Sequence, residues 1–219
     1  MRDYNFEYTD TKFTLKLIGL SFLAFVVLLI AMVVTVDLLG IAGALILAFG
    51  VPVLIFFLNK KKIKKIGTAN IYDSSSEFKP ADSTEKVVYA DIKTYQVERY
   101  NGTHLKIKFK DGKDFKLQAN SNFCNSDQFD ILCGEFEKTV QQFKSTNNVE
   151  LTRKPSMFER AWMLPFLIIL TAGLIGGIVF AISQGKSIPP TFYTSAAIVI
   201  PMWIGYFNAR KRKQEQQTK

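Results

Sequence analysis

Residues that bind metals or form disulfides are scarce in this 219-residue chain, which has two cysteines and one histidine. So few thiols exclude a secreted domain held together by several disulfides. His104 has no second histidine and no carboxylate pair near it in sequence, so it is a poor metal ligand or general base, and we predict neither a metal nor a cofactor. Cys133 falls on the apolar stripe of a predicted helix, whereas Cys124 falls in a polar loop where exposure is expected. The H-E-x-x-H, G-x-x-x-x-G-K and G-x-S-x-G signatures are also missing, so no enzymatic activity is predicted.

Charged residues are nearly absent from two long regions, residues 17–58, which contain only Asp37, and residues 161–207, which contain only Lys186. A bilayer crossing takes about 20 residues, so each region holds two transmembrane helices, the first pair turning near Asp37 and Gly40. A cleaved signal peptide is the competing interpretation. Signal peptides have an apolar region of only about 7–15 residues, however, which is shorter than the first apolar run of this chain. The sequence therefore predicts four membrane helices in two hairpins. Because pumps and transporters place ionisable groups at bilayer depth, it also argues against transport.

The net charge of +9 is concentrated beside the predicted membrane helices. Residues 66–159 carry 13 Lys+Arg and 14 Asp+Glu, a net charge of −1, so the polar segment is not expected to bind nucleic acid. Positive residues that flank membrane helices remain in the cytoplasm. Both termini and this segment are therefore predicted on the cytoplasmic side of a bacterial cytoplasmic membrane. One basic group precedes the segment and is predicted to contact anionic lipid at the membrane surface: Lys60, Lys61, Lys62, Lys64 and Lys65. A second basic group, residues 210–213, follows the last apolar run.

The polar segment shows an α+β pattern between residues 66 and 146. Leu105, Ile107 and Phe109 alternate with polar residues, which predicts a half-buried strand. Asp111-Gly112 then favours a tight turn into a return strand. Residues 67–73 and 86–100 also read as strands, and residues 74–83 as a loop or an irregular edge. A helix should begin after Asn125 or Ser126 and bury one apolar stripe, namely Phe129, Leu132, Cys133, Phe136, Val140 and Phe143.

An antiparallel meander followed by one amphipathic helix resembles the bacterial pleckstrin-homology-like domain. The similarity rests on the opening strand at residues 67–72, the Tyr89-Ala-Asp-Ile92 element, the hairpin at 105–117 and the closing helix through Phe136, Val140 and Phe143. The whole chain is similar to YcxB-like small membrane proteins, which place such a domain beside transmembrane hairpins. The resemblance implies a scaffold, sensing or regulatory role for a domain spanning residues 66–146. The predicted divisions around it are 1–16, 17–58, 59–65, 147–160, 161–207 and 208–219.

Two further groups of residues are candidates for interaction. The outward face of the hairpin is basic and could accept a protein partner or lie on the membrane; it comprises His104, Lys106, Lys108, Lys110 and Lys116. A solvated face that prevents edge association is the simpler alternative. In the third membrane helix, Gly173 and Gly177 form a G-x-x-x-G pair that Ala181 extends, which favours close helix packing within the chain or self-association into a homo-oligomer.

Three functional hypotheses remain open from the sequence. The first is a non-enzymatic membrane protein that presents the cytoplasmic domain at the inner leaflet to bind a protein or a membrane component. The second is an immunity-type protein that blocks a membrane-active toxin through its helices. The third is a channel or transport accessory protein in which the domain acts as a gate.

Overall fold

The computed structural model describes the backbone of residues 2–81, 83–188 and 190–217, and the side chains in those ranges except at 33–35, 37–39 and 215–217. Its helices are α1 Thr11–Asn59, α2 Asp127–Asn147, α3 Met163–Ser183 and α4 Pro190–Gln217. Its strands are β1 Arg2–Thr9, β2 Lys64–Ile71, β3 Ser75–Lys79, β4 Glu85–Val88, β5 Ile92–Arg99, β6 Gly102–Phe109, β7 Asp114–Asn120 and β8 Thr152–Arg153. Short 3-10 turns lie at Lys60–Ile63, Tyr89–Asp91 and Met157–Glu159.

Helix α1 is a hairpin of two helices. It breaks at Gly40, where φ is +71° and ψ is 170°. The rings of Phe25 and Phe49 then lie 5.2 Å apart, whereas a straight helix would separate these residues by about 36 Å. The predicted turn is therefore confirmed at Gly40, while the side chain of Asp37 lies outside the described residues. Ala44 and Ala48, one turn apart, are fully buried and allow the two halves to pack closely.

Three helical segments in the described ranges are long and apolar enough to cross a membrane. They are Thr11–Met32, Gly40–Ile63 and Met163–Ser183, with mean hydropathies of 2.6, 2.7 and 2.5. The fourth predicted span, residues 191–207, lies in α4, which does not meet the same criterion in the part of the chain described. Its apolar run is only 17 residues long and contains three hydroxyl side chains besides tyrosine, together with Pro201.

The strands form two four-stranded sheets, one in the order β1-β2-β3-β4 and the other in the order β7-β6-β5-β8. Strand β1 pairs with β2 along its length, from Arg2 opposite Ile71 to Thr9 opposite Lys64. The α1 hairpin is therefore inserted between two adjacent strands. Strand β8 pairs in parallel with β5, so the sheets also include residues on both sides of the predicted 66–146 domain.

The predicted hairpin is confirmed in register. Leu105 lies opposite Leu117 and Ile107 opposite Phe115, and all four side chains are buried. Gly112 in the connecting turn has a φ of +90°, a conformation that glycine adopts without a steric penalty.

The prediction of a loop or irregular edge at residues 74–83 is wrong for Ser75–Lys79, because β3 lies there between β2 and β4. Ser76 and Phe78 both point into the core and are fully buried. The Ser76 hydroxyl is 2.6 Å from the hydroxyl of Tyr89, which satisfies the hydrogen-bonding need of a serine in the core. A run of serines is typical of a loop, and this distant partner is not visible in the local pattern.

Helix α2 covers the interior of both sheets, as its apolar stripe predicts. The ring of Phe136 packs against three aromatic rings whose centroids are 5.9–6.0 Å away. They are Phe78 of β3, Tyr89 of the 3-10 turn before β5, and Tyr95 of β5. Five of the six predicted stripe residues are buried, and Phe143 packs at the margin of the core. At the helix start, the side chain of Asn125 accepts a hydrogen bond from the backbone N–H of Asp127 at 3.0 Å.

Candidate functional site

The first three juxtamembrane lysines are exposed where the α1 hairpin ends. Lys60, Lys61 and Lys62 belong to the 3-10 turn whose last residue, Ile63, is fully buried. The Lys60 ammonium lies 5.9 Å from the ring centroid of Phe123, and this ring also packs against Phe56. The turn thus anchors on the domain while its lysines face outward at the end of a candidate span.

The other two juxtamembrane lysines form ion pairs with acidic residues of the N-terminal segment. Lys64 lies 2.7 Å from Glu7, and Lys65 lies 3.0 Å from Asp10. The hydrogen bond from Lys64, followed by that from the backbone N–H of Asn125, lowers the pKa of Glu7. Glu7 belongs to β1 and Asp10 caps the start of α1, so the ion pairs of Lys64 and Lys65 join the two ends of the hairpin.

The hairpin lysines form a face that is less uniformly basic than the sequence implies. Lys106 lies opposite Lys116, but His104 pairs with Glu98 of β5 across the strands, and Asp114 lies 3.4 Å from Lys116 and 3.9 Å from Lys108. Lys110 lies beyond the end of β6, in the turn. A groove of about 390 Å³ crosses this face, lined by Thr11, Gln96, Glu98, His104, Lys106, Lys116 and Gln118 among others. We call it the sheet groove.

A larger groove lies beside the first two turns of α1. We call it the junction groove; its volume is about 680 Å³, and its walls are the start of α1, strand β7, the end of β1 and the β3–β4 connection. Lys12, Lys16 and Lys116 are the lysines that line it. Thr11, Lys116 and Gln118 border both grooves, so the two are continuous across β7. Sequence reasoning missed this site because Lys12 and Lys116 are distant in the chain, although two lysines four residues apart before an apolar run were a visible signal.

Buried charges connect the domain to the segment that leads into α3. Glu137 of α2 is 2% exposed and pairs with Arg99 of β5 at 3.1 Å and with Arg153 of β8 at 2.8 Å. Arg153 also donates two hydrogen bonds of 2.9 Å to Glu159, and Arg99 pairs with Asp130. Burial alone would raise the pKa of Glu159, but the hydrogen bonds from Arg153 and from the backbone N–H of Ser156 outweigh it and lower that pKa.

The basic end of α4 lies against this network. Arg212 is partly buried, and its pKa is lowered by burial and by the positive charge of Arg99, with Asp130 and Glu159 opposing. Next to it, the ring of Phe158 packs on α4, where a side chain at Gly205 would lie 3.0 Å from that ring. Arg212 of the basic C-terminal group thus lies near carboxylates of the domain, although burial and Arg99 outweigh their effect on its pKa.

The small residues of α3 differ in what they contact. A Cβ added at Gly177 would lie 2.7 Å from the ring of Phe192 in α4, whereas one added at Gly173 would meet no atom within 4 Å. Ala181 is buried. The two helices are also joined by Trp203, whose indole N–H donates to the Thr171 hydroxyl at 2.9 Å. Close packing within the chain therefore uses Gly177, while Gly173 lies on an open face of α3.

Replacing Gly177 with leucine should separate α3 from α4, because the new side chain overlaps the Phe192 ring. We expect a loss of about 2 kcal/mol in the free energy of unfolding, comparable to overpacking a core. Thermal unfolding of the full chain in detergent measures it, and Gly173→Leu is the matched control with a small expected effect. If Gly173→Leu is the more damaging change, the open face of α3 is an interface between copies of the chain.

Neither cysteine is placed for reactivity. Cys124 is 8% exposed, which contradicts the expected exposure, and its sulfur lies 3.4 Å from the Thr9 hydroxyl. Burial raises the pKa of both Cys124 and Cys133. Among the described residues, no three His, Cys, Asp or Glu side chains are grouped so as to hold a metal ion.

No protein-family model matches the chain, and no curated protein matches its sequence.

Proposed function

We propose that this chain is a binding module of the bacterial cytoplasmic membrane, which holds a pleckstrin-homology-like domain of the YcxB-like kind against the inner leaflet to bind a protein or a membrane component. The role is structural or regulatory and not enzymatic. The observation that carries the proposal is the insertion of a membrane hairpin between the paired strands β1 and β2. Both ends of that hairpin continue into the sheet, so the domain is held at the membrane without a flexible linker.

The contacts of the second hairpin support the same arrangement. Phe158 packs against Tyr100 of the domain with ring centroids 5.0 Å apart, and it belongs to a buried cluster with Met163 and Leu167 of α3 and Tyr206 of α4. Together with the Arg153–Glu137 ion pair, these contacts fix α3 and α4 to the domain. A domain held by two hairpins presents a given face at a constant height above the bilayer.

Four membrane spans and a cytoplasmic domain are parts of this proposal. Helix α4 packs along α3, and its 17 apolar residues would extend about 26 Å, close to the thickness of the hydrocarbon core. Lys60–Ile63 and Arg212 both lie at the domain end of their hairpins. The positive-inside rule then supports placing the domain in the cytoplasm.

The two sheets covered by α2 support the pleckstrin-homology-like assignment. Seven strands, β1 to β7, precede α2, and they divide into one set of four and one set of three consecutive antiparallel strands. The aromatic side chains of α2 fill the space between these sets. Because the membrane hairpin replaces the connection between β1 and β2, the fold itself positions the domain on the membrane.

The sheet groove is the face we propose for a partner, since it is open and carries charges of both signs. A photoreactive amino acid in place of Lys106 should crosslink to a discrete partner in native membranes. The same substitution at Lys144, an exposed lysine of α2, is the control and should give no adduct. Equal crosslinking from both positions, or none from either, would contradict the proposed binding face.

A further inference from the structure

We infer that the junction groove binds the headgroup of one anionic phospholipid. This inference rests on the proposed function and deepens it, because it names the membrane component and the place where it binds. The groove and its lysines lie at the start of the first span, where the chain passes from the domain into the membrane.

The position of the groove matches the headgroup layer. The first candidate span begins at Thr11, so Lys12 and Lys16 occupy its first two turns. Four residues of helix rise by about 6 Å, comparable to the headgroup region of one leaflet, which is about 5–8 Å thick. Lysines at this depth extend their ammonium groups towards the headgroups while their alkyl chains remain among apolar atoms.

The charges of the groove favour an anion. Asp10 is already engaged, because it pairs with Lys65 and accepts a hydrogen bond from the backbone N–H of Phe13 at 2.9 Å. Asp114 lies within ion-pair distance of both Lys108 and Lys116. The groove and these ion-pair partners together hold five lysines and three carboxylates, which leaves a net charge of +2. The lysines are Lys12, Lys16, Lys65, Lys108 and Lys116, and the carboxylates are Asp10, Glu85 and Asp114. Lys12 and Lys16 make no ion pair with any described residue and supply this excess.

The shape of the groove is consistent with a lipid. Tyr8, Phe13, Phe115 and Leu117 line it together with the lysines, so apolar side chains accompany the charges. The hydroxyl of Tyr8 accepts a hydrogen bond from the backbone N–H of Ala81 at 3.0 Å, which ties β1 to the β3–β4 connection. An anionic headgroup with the start of its acyl chains fits this combination of lysines and apolar side chains.

Native mass spectrometry of the full chain in detergent tests the inference, with phosphatidylglycerol and phosphatidylcholine as probes. The wild-type protein should retain one phosphatidylglycerol in preference to phosphatidylcholine. The double variant Lys12→Gln/Lys16→Gln should bind it about 30-fold more weakly, since each lysine near an anionic lipid contributes a factor of about 5. The matched control Lys93→Gln/Lys144→Gln removes the same charge from two exposed lysines outside the groove and should weaken binding by less than about threefold.

Three outcomes would overturn the inference: equal weakening in the two double variants, no preference for phosphatidylglycerol in the wild-type protein, or displacement of the lipid by a polyglutamate peptide. Circular dichroism of each variant confirms that it is folded. Crosslinking from position 106 reports separately on the proposed function. If position 106 crosslinks to a partner but the protein shows no lipid selectivity, only the inference about the junction groove is overturned. If position 106 gives no crosslink when the rest of the chain is unchanged, the proposed binding function is overturned.

Discussion

Replacing Glu137 with glutamine is expected to lower the free energy of unfolding by about 3 kcal/mol, because it removes the buried carboxylate that two guanidinium groups share and leaves each of them with a single carboxylate partner. Glu137 is the residue shared by Arg99 and Arg153. Both arginines are largely buried, with side-chain exposures of 13% and 21%, so water cannot replace the lost carboxylate. Urea titration of the full chain in mild detergent, followed by circular dichroism, measures the change.

The control for this prediction lies two residues earlier on the same helix. Glu135 also pairs with two cations, Arg2 and Lys138, but these side chains are 68% and 64% exposed. Exposed ion pairs contribute about 0–1 kcal/mol, so Glu135→Gln should have little effect. Equal unfolding midpoints for the two variants would show that the buried network does not stabilise the domain.

The same network gives the protein a defined dependence on pH. The pKa of Glu159 in the folded protein is below its ordinary value of 4.5. Its ion pair with Arg153 therefore contributes fully to the free energy of unfolding above about pH 4.5. That contribution is lost as the pH falls through the lower pKa of the folded state. Because Arg153 remains charged throughout, protonation of Glu159 is the event that weakens the contact between β8 and the segment that leads into α3.

The features that could be predicted from the sequence are those determined by neighbours along the chain. Alternation of Leu105, Ile107 and Phe109 is sufficient for β6, and the long uncharged runs are sufficient for three helices that are long and apolar enough to cross a membrane. Strand β1 was not predicted, since its partner β2 lies beyond the 49-residue helix α1. Phe6 and Tyr8 do alternate with polar residues in β1, but the pattern is short and is followed at once by the apolar run.

The candidate sites were only partly predictable for a similar physical reason. A row of lysines predicts a basic surface, but pairing depends on carboxylates that the fold brings from elsewhere. Glu7 and Asp10 neutralise Lys64 and Lys65, whereas Lys12 and Lys16 pair with no carboxylate in the part of the chain that the structure describes. The network around Glu137 joins four segments of the chain and has no spacing that could be recognised in the sequence.

The connection between β5 and β6 leads to the second large expected effect. Gly102 has a φ of +112°, and a Cβ added there would lie 1.9 Å from the carbonyl oxygen of Ala119 in β7. Gly102→Ala must therefore displace β7 or the connection itself. We expect a loss of at least about 3 kcal/mol in the free energy of unfolding, since backbone strain and a steric overlap with backbone act together.

Gly112→Ala provides the comparison that isolates the close approach. Gly112 also has a positive φ, of +90°, but an added Cβ would meet no atom within 4 Å. Its replacement should cost only the penalty for a left-handed backbone, about 1–2 kcal/mol. Urea unfolding of both variants measures the difference, and similar losses would mean that β7 can shift at little energetic cost.

Because Asn120 of β7 donates its backbone N–H to Thr9 at 3.0 Å, a displaced β7 should also disturb the start of α1 and weaken phosphatidylglycerol binding in the junction groove. Gly112→Ala should leave that binding intact, because the turn at Gly112 lies outside the groove.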